Sequence, residues 1–525
     1  METKSQSTVK AVGTVTLLTV LAKLFSLWNT QTYLTHFGTG PYVEMYSLAL
    51  SLPLILFNGL GTALTVVVIP IFAGYLGKNE EGKAHTFLNN LISLMVLATI
   101  ALSLAGIALS PTIIRFTRFG EIDAQFGIFA LAVMFPVIIF YALNYILQGV
   151  LQSYQKYNMP AIVSIPYSLT VILYVYLLGA KFGVRGLVIA TFIGLSLQAL
   201  ILIPPVKKQG YRFRPSFDYR SEDIRKAFSL MLPVILGTAA YQVNMLFGNL
   251  LATGFPSGIV ILNTVYNLTL VMSLSYIYSL TAVYFPRFSV LAAQNDLEGI
   301  GRNLTSVLNV LLFTLLPAAV GLSLVGEQLI DLIYGYGKFT PADVRAAGLV
   351  MMLYSLGIIG IGLKEVIDRV FYSLQDTKTP ILNGVLVAVT NISVTLILIR
   401  FLDFKGIALG YSISVLVGGL MMLYRSGCRL KNLNFAQLLR LLMKVSLACL
   451  IMALAVILTE KGVAVLWPGT AVYLKFIRLM LPVVVGCLSY FLATYLLGVK
   501  EAKEFITAVL SKVASFCHPE RSEGS

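Results

Sequence analysis

Residues 335–380 read GYGKFTPADVRAAGLVMMLYSLGIIGIGLKEVIDRVFYSLQDTKTP, a polar loop that runs into a long apolar helix. The helix is apolar enough to lie in lipid, but its end carries Lys364, Glu365, Asp368 and Arg369. A charge at the centre of a bilayer costs roughly 2.5–3.5 kcal/mol on insertion scales, so such residues need partners or water. Each cation has an acid four residues away, which places the pairs Lys364–Asp368 and Glu365–Arg369 on common helix faces.

Two interpretations of these four charges remain open. In the first, the pairs lie close to the cytoplasmic headgroups, where long side chains reach water while their apolar stems stay in lipid. In the second, the charges face the interior of a helix bundle and line a polar passage. Both interpretations require a helix that crosses or enters a membrane.

The composition of the chain agrees with a membrane protein. Hydrophobic residues make up 58% of the 525 residues and charged residues 12%, where a soluble domain has about 25% charged residues. At roughly 20 residues per span, the length accommodates about fourteen transmembrane helices. The apolar segments are continuous and lack the alternation of a barrel strand, so the predicted fold class is an all-α polytopic membrane protein.

The net charge of +15 would suggest nucleic acid in a soluble protein, but basic residues also collect on the cytoplasmic side of membrane proteins. We therefore predict no nucleic-acid partner. The four cysteines and three histidines show no spacing typical of a metal or disulfide framework. Hydropathy predicts helices over residues 11–36, 41–75, 85–109, 124–154, 159–179, 184–206, 225–253, 257–291, 299–325, 341–375, 378–399, 405–427, 436–459 and 472–498.

The loops between these helices predict an orientation. If the N-terminus is cytoplasmic, the cytoplasmic loops carry most of the Lys and Arg residues, as the positive-inside rule requires. The most basic of them is VKKQGYRFRPSFDYRSEDIRK, residues 206–226, which reads as a linker between two halves. An even number of spans then places the C-terminus in the cytoplasm as well.

The two halves of the chain resemble each other. VLQSYQKYNMP (150–160) aligns with VFYSLQDTKTP (370–380) at an offset of 220, and LTVVVIPIF (64–72) aligns with LTAVYFPRF (280–288) at an offset of 216. A six-helix unit used twice in the same orientation explains prolines in register, which a shared apolar composition does not. Parallel repeats of this kind are a transporter architecture.

The repeat predicts a division of the chain into domains. Residues 1–206 form an N-terminal six-helix lobe, 207–226 a basic cytoplasmic linker, and 227–428 a second six-helix lobe. Residues 429–499 add two transmembrane helices outside the repeat, and 500–525 form a cytoplasmic tail.

The opening segment also resembles a known family. A G-x-F-T loop, a helix ending in K-x-x-x-x-R-x-F-Y, and then D-T-K-T-P are similar to the MurJ (MviN-like) lipid flippases of bacterial cell-wall synthesis. The spacing fits over more than forty consecutive positions. The matching residues are Gly337, Phe339, Thr340, Lys364, Arg369, Phe371, Tyr372, Asp376, Thr377, Lys378, Thr379 and Pro380.

The resemblance implies the fold of the multidrug/oligosaccharidyl-lipid/polysaccharide exporter superfamily, with two six-helix lobes and two extra helices. It implies a protein of the bacterial cytoplasmic (inner) membrane that moves a lipid-linked glycan precursor, lipid II of peptidoglycan first, from the inner to the outer leaflet. No cofactor is expected. Transport would be driven by the membrane potential or a Na⁺ or H⁺ gradient, and cell-wall synthesis proteins are expected partners.

The chain departs from the family pattern in its first and second helices, and also in the eighth, where the family's A-D-R-L reads V-Y-N-L and Asn267 stands at the arginine. Lys23 stands at the family's first cavity arginine, whereas Asn29 and Thr30 replace an Arg–Asp pair. Glu44 keeps the acid of helix 2, but Phe57 stands where an arginine is usual. Arginine guanidinium groups bind phosphate oxygens bidentately, so the loss of these arginines predicts weaker binding of a diphosphate headgroup.

These comparisons give two sets of candidate site residues. The predicted substrate-binding residues are Lys23, Asn29, Glu44, Asn267, Lys364 and Arg369. Oxygens from Asp376, Asn391 and Thr395 form a predicted site for a small coupling cation.

Other functions remain open beside lipid II translocation. The chain could move another polysaccharide-linked lipid, export drugs with a cation, or serve as a non-transporting membrane scaffold that binds partners. An enzyme is disfavoured, because no carboxylate pair, HExxH, GxSxG or phosphate-binding glycine loop stands out.

Overall fold

The computed structural model describes residues 2–430, 432–467, 469, 471–504 and 507, and the side chains within these ranges except those of residues 2–13 and Val66. All regular structure in these ranges is α-helical, because only a backbone that is hydrogen-bonded within its own segment can cross lipid without a closed barrel. The helices are α1 (Glu2–Phe37), α2 (Pro41–Gly77), α3 (Glu81–Arg115), α4 (Phe119–Met134), α5 (Val137–Ser153), α6 (Asn158–Ala161), α7 (Ile165–Leu200), α8 (Ile203–Lys207), α9 (Glu222–Ala252), α10 (Gly258–Ala293), α11 (Leu297–Tyr334), α12 (Pro341–Ser355), α13 (Ile358–Ser373), α14 (Lys378–Leu402), α15 (Lys405–Arg429), α16 (Phe435–Leu466) and α17 (Val472–Leu496).

The all-α membrane fold predicted from hydropathy is confirmed. Within the described residues, twelve continuous helical stretches are long and apolar enough to cross a membrane. The predicted number of about fourteen spans exceeds these twelve stretches because the spans were counted differently. The prediction included the first helix, α1, which is not among the twelve, and it divided residues 158–207 into two spans.

The predicted repeat is visible in the backbone of the turn after α5 and of the turn after α13. Gln155 and Gln375, which are 220 positions apart, are both left-handed, with φ of 57° and 60°. In each turn the N–H of the next residue donates to the carbonyl oxygen five positions back, at 2.8 Å in the first turn and 2.9 Å in the second. Two stretches with different side chains therefore end their helices with the same turn.

A second pair of turns repeats at the other offset. Asn79 and Asn295, 216 positions apart, have φ of 58° and 55° and end the helices that carry the aligned proline motifs. Asparagine tolerates the left-handed conformation better than most residues, because its short amide side chain can hydrogen-bond locally. The two offsets found in the sequence thus recur as two sets of equivalent helix ends.

A third pair marks a sharp break between consecutive helices. Gly183, inside α7, has φ 57° and ψ −147°, and Asp403, between α14 and α15, has φ 51° and ψ −146°. This region of backbone space is occupied almost only by glycine, since a Cβ atom strains it. Asp403 therefore holds a conformation that its glycine counterpart, 220 positions earlier, adopts without strain.

The helices cluster into two compact units. The first contains residues 1–261 with 336–343, and the second contains 262–335 with 344–525. Within the first unit α9 packs along α2, where the Tyr75 hydroxyl donates to the Asp223 carboxylate at 2.6 Å. This packing places α9 with the first unit, whereas the repeat assigns it to the second lobe, so the predicted lobe boundaries remain a prediction.

In the second unit, α16 and α17 pack on each other and on α11. Lys475 of α17 is buried, and its Nζ donates to Asp331 Oδ1 and to the carbonyl oxygen of Gly335, both at 2.7 Å. Further along, the Tyr490 hydroxyl donates to the carbonyl oxygen of Phe313 at 2.6 Å. Polar contacts to the end and middle of α11 therefore fix α17, and α16 packs against both helices. The predicted tail, 500–525, lies mostly outside the described residues.

The break at Asp403 generates a stability prediction. Because the Asp403 side chain is exposed, Asp403→Gly should mainly relieve backbone strain, worth about 1–3 kcal/mol, and raise the thermal midpoint of the detergent-purified protein. Gly183→Ala should lower the midpoint, because it introduces the same strain.

Asp403→Ala is the matched control, since it removes the carboxylate but keeps the Cβ. It should leave the midpoint close to that of the unchanged protein. A midpoint that rises equally for Asp403→Ala and Asp403→Gly would show that the charge, and not the backbone, is the source of the effect.

Candidate functional site

The charges at the end of α13 form a compact cluster in the second unit. Lys364 Nζ donates to Asp368 Oδ2 at 2.7 Å and lies 3.7 Å from Glu365 Oε1. Asp368 is buried, and its other oxygen, Oδ1, has no hydrogen-bond partner within the described chain. The predicted Lys364–Asp368 pair therefore forms, but two carboxylates already compensate the lysine.

The predicted pair between Glu365 and Arg369 does not form. Glu365 turns to Lys364, and the Arg369 guanidinium lies over the ring of Phe285, 5.9 Å from its centroid. A cation–π contact of this kind is worth about 0.5–1 kcal/mol at an exposed site. Arg369 is thus a half-buried cation that forms no ion pair within the described residues, and it is the member of the cluster best able to accept an anion.

Glu44 is committed to a partner in the first unit. It lies near the start of α2 with 1% of its surface exposed, and it forms an ion pair with Arg118, the residue before α4. The guanidinium of Arg118 also stacks over Phe119, 5.6 Å from the ring centroid. Sequence reasoning missed Arg118, because 74 positions separate it from Glu44 and no local spacing links them.

Asn29 belongs to a buried network of hydroxyls and amides in the same unit. The residue is 2% exposed and hydrogen-bonds to Tyr167, which also bonds to Tyr46. The Tyr46 hydroxyl lies 2.9 Å from Thr191 Oγ1, and the Asn29 Oδ1 atom has no partner within the described part of the chain. This network joins α1, α2 and α7 by neutral groups.

The remaining predicted substrate residues stand apart from these clusters. Lys23 on α1 and Asn267 on α10 are both exposed. Lys23 has no ion pair with any described residue. Beside Asn267, Tyr266 is buried and packs with Tyr354 and Tyr411, at centroid distances of 5.5 and 5.4 Å.

The predicted cation site does not assemble as one site. Thr395 Oγ1 donates to Asn391 Oδ1 at 3.1 Å, and both residues are buried on α14. Asp376 lies before the start of α14, roughly 20 Å from Asn391 by helix rise. It accepts from Thr379 N and Oγ1 at 3.0 and 2.8 Å and lies 3.8 Å from Arg429. Asp376 is thus separated from Asn391 and Thr395 by about half the length of α14, and a cation site at these residues stays a prediction.

The turn that holds Asp376 has its own electrostatics. Partial desolvation opposes the charged form, but the bonds from Thr379 and the charge of Arg429 outweigh it and lower the pKa of the Asp376 carboxyl. The carboxylate is thus a cap for α14. Within the described chain, no cluster of three or more His, Cys, Asp or Glu side chains could hold a metal ion.

The family model and the similar proteins of known sequence all carry the same description. The family model described as "Lipid II flippase MurJ" matches residues 34–477, so Lys23 and Asn29 lie before the matched span. The "Probable lipid II flippase MurJ" of Buchnera aphidicola subsp. Baizongia pistaciae is 24% identical over 485 residues, covering 90% of this chain and 93% of its own. That of Treponema pallidum is 26% identical over 434 residues, covering 79% and 81%.

Solved structures agree with this at the level of the fold. The structure described as "Lipid II flippase MurJ, inward closed conformation" superposes with a TM-score of 0.75 at 20% identity, covering 92% of this chain and 98% of that one. An inward-facing multidrug resistance transporter of the MATE family gives 0.66 at 15% identity, covering 77% and 94%. Because the family model extends over most of the sequence, the chain belongs to the MurJ family of lipid II flippases.

Proposed function

We propose that this protein moves a lipid-linked glycan precursor of the cell envelope, lipid II of peptidoglycan, from the inner to the outer leaflet by alternating access. The observation that carries the proposal is the family match over residues 34–477, which includes the charged cluster on α13. The curated relatives bear the name of that activity. The role needs no covalent chemistry from the chain.

The charged cluster gives the proposal a physical site for the headgroup. Lipid II carries a diphosphate, and charge-assisted hydrogen bonds to such an anion are worth roughly 1.5–3 kcal/mol each. Arg369 can offer its guanidinium without breaking an ion pair, whereas Lys364 must first exchange Asp368 or Glu365 for phosphate oxygens. The two acids hold Lys364 in place and neutralise it between transport events.

The proposal includes the setting of the protein. We place it in the bacterial inner membrane, with both termini in the cytoplasm on the strength of the basic loops. The membrane potential or an ion gradient is the proposed drive, since one charge crossing 100 mV gains roughly 2.3 kcal/mol. Asn391 and Thr395 remain a two-oxygen candidate for a coupling cation, without Asp376.

Removal of the free cation should slow transport. Arg369→Gln should lower the rate of lipid II translocation in reconstituted vesicles by about tenfold or more, because one charge-assisted contact is lost. Arg369→Lys should recover part of the rate, since it restores the charge but not the fork. Lys364→Gln should also slow translocation.

Lys461→Gln, at an exposed lysine of α16, is the matched control for these variants and should transport normally. Equal rates for Arg369→Gln and the unchanged protein, at equal amounts of inserted protein, would remove α13 from the headgroup site. Rescue of a bacterium depleted of its own precursor flippase provides the same comparison in cells.

Breaking the Glu44–Arg118 ion pair should lower the stability of the protein. Arg118→Gln leaves a buried carboxylate uncompensated, which costs about 3–5 kcal/mol in such pairs, and should lower the thermal midpoint strongly. The double variant Glu44→Gln/Arg118→Gln should recover much of the loss, because neither charge is then buried alone.

The transport rate of the double variant decides the role of Glu44. If the double variant is stable and transports normally, Glu44 has a structural role and does not bind substrate. A stable double variant without transport would instead support Glu44 as a substrate-binding residue.

A further inference from the structure

The segment between α8 and α9 is an extended strap that is anchored to α3 by side chains. The strap comprises residues 211–220, YRFRPSFDYR. The backbone N–H groups of Arg214, Ser216 and Asp218 donate to three side chains of α3, at 3.0, 3.1 and 3.3 Å. The acceptors, all buried, are Asn89, Ser93 and Asn90.

Every second N–H from Arg214 to Asp218 faces α3, as expected for an extended chain that docks by one edge. The anchor is strengthened at its start by Tyr211, whose buried hydroxyl donates to Asn89 Oδ1 at 2.7 Å. Burial raises the pKa of the Tyr211 hydroxyl, so it remains a donor at any physiological pH. The path of the strap is therefore fixed by the fold and not only by its two flanking helices.

The fixed backbone leaves cationic and aromatic side chains exposed. Arg212 and Arg214 are exposed and form no ion pair with any described residue. Phe213, Phe217 and Tyr219 expose 48%, 57% and 60% of their surfaces. Large aromatic side chains are costly to leave in water, at about 25 cal/mol per Å² of apolar surface, so their exposure marks an interaction surface.

The strap's position identifies the partner. It joins two helical stretches that are each apolar enough to cross the membrane, so it lies at the end of the hydrophobic slab. Exposed leucines continue the apolar surface into α9, at Leu230 and Leu232. Arginine with aromatic side chains at the membrane boundary is the composition that binds anionic headgroups and the acyl region just beneath them.

We propose that the strap is a binding surface for anionic phospholipid, with Arg212 and Arg214 on the phosphates and the exposed rings inserted among the headgroups. The one acid in the strap, Asp218, is also exposed, but its carboxylate is engaged by the strap's own backbone, since its Oδ1 accepts from Arg220 N at 3.0 Å. The inference does not depend on which lipid the protein transports.

The test uses the full-length protein in detergent, titrated with phosphatidylglycerol or phosphatidylcholine, with bound lipid counted by native mass spectrometry. Arg212→Gln/Arg214→Gln should weaken the tightest phosphatidylglycerol binding by about tenfold or more and leave phosphatidylcholine binding unchanged. Phe213→Ser/Phe217→Ser should weaken both lipids, because it removes the inserted rings.

Lys181→Gln/Arg185→Gln is the matched control. It also removes two exposed cations beside an exposed aromatic ring, Phe182, but at the α7 break. This control should keep full phosphatidylglycerol affinity. An equal loss in both double variants would overturn the proposal, because charge alone would then explain it. Unchanged lipid affinity in Arg212→Gln/Arg214→Gln, with loss of a co-purifying acidic protein, would assign the strap to a protein partner and also overturn it.

Discussion

A polar group that leaves water must find a partner, and this constraint governs the whole molecule. In lipid it forces the backbone into helices, whose N–H and C=O groups satisfy each other. It then acts on the few side chains that carry charge into the apolar region. Lys364 is held by Asp368, Glu44 by Arg118, and Lys475 by Asp331 with a main-chain carbonyl. Each of these contacts also fixes one helix against another or fixes the direction of a side chain.

Local signals explain what the sequence could predict. Continuous hydropathy located the helices, because each span must satisfy its own backbone. The aligned stretches at 150–160 and 370–380 predicted a repeat, and the left-handed residues Gln155 and Gln375 show that the backbone repeats where most side chains differ. Lys364 and Asp368 could be paired from their spacing, since residues four apart on a helix are neighbours.

Contacts between distant segments explain what the sequence could not predict. Nothing near Glu44 indicates Arg118, because the pair depends on how α2 packs beside α4. Glu365 pairs with Lys364 and not with Arg369, and the spacing of these residues does not distinguish the two partners. The cation site combined Asp376 with Asn391 on oxygen chemistry alone, although about half the length of α14 separates them. In each case the residue types indicated which kind of contact could form, and the geometry of the helices determined which residues meet.

Lys475 has a mechanical consequence for α17, one of the two helices outside the repeat. Its ammonium reaches three acceptors around the last turn of α11, including two main-chain carbonyl oxygens that cannot rotate away. Sliding α17 past α11 by one helical turn, about 5.4 Å, would strand a cation in an apolar contact. These contacts therefore lock α17 in register with α11.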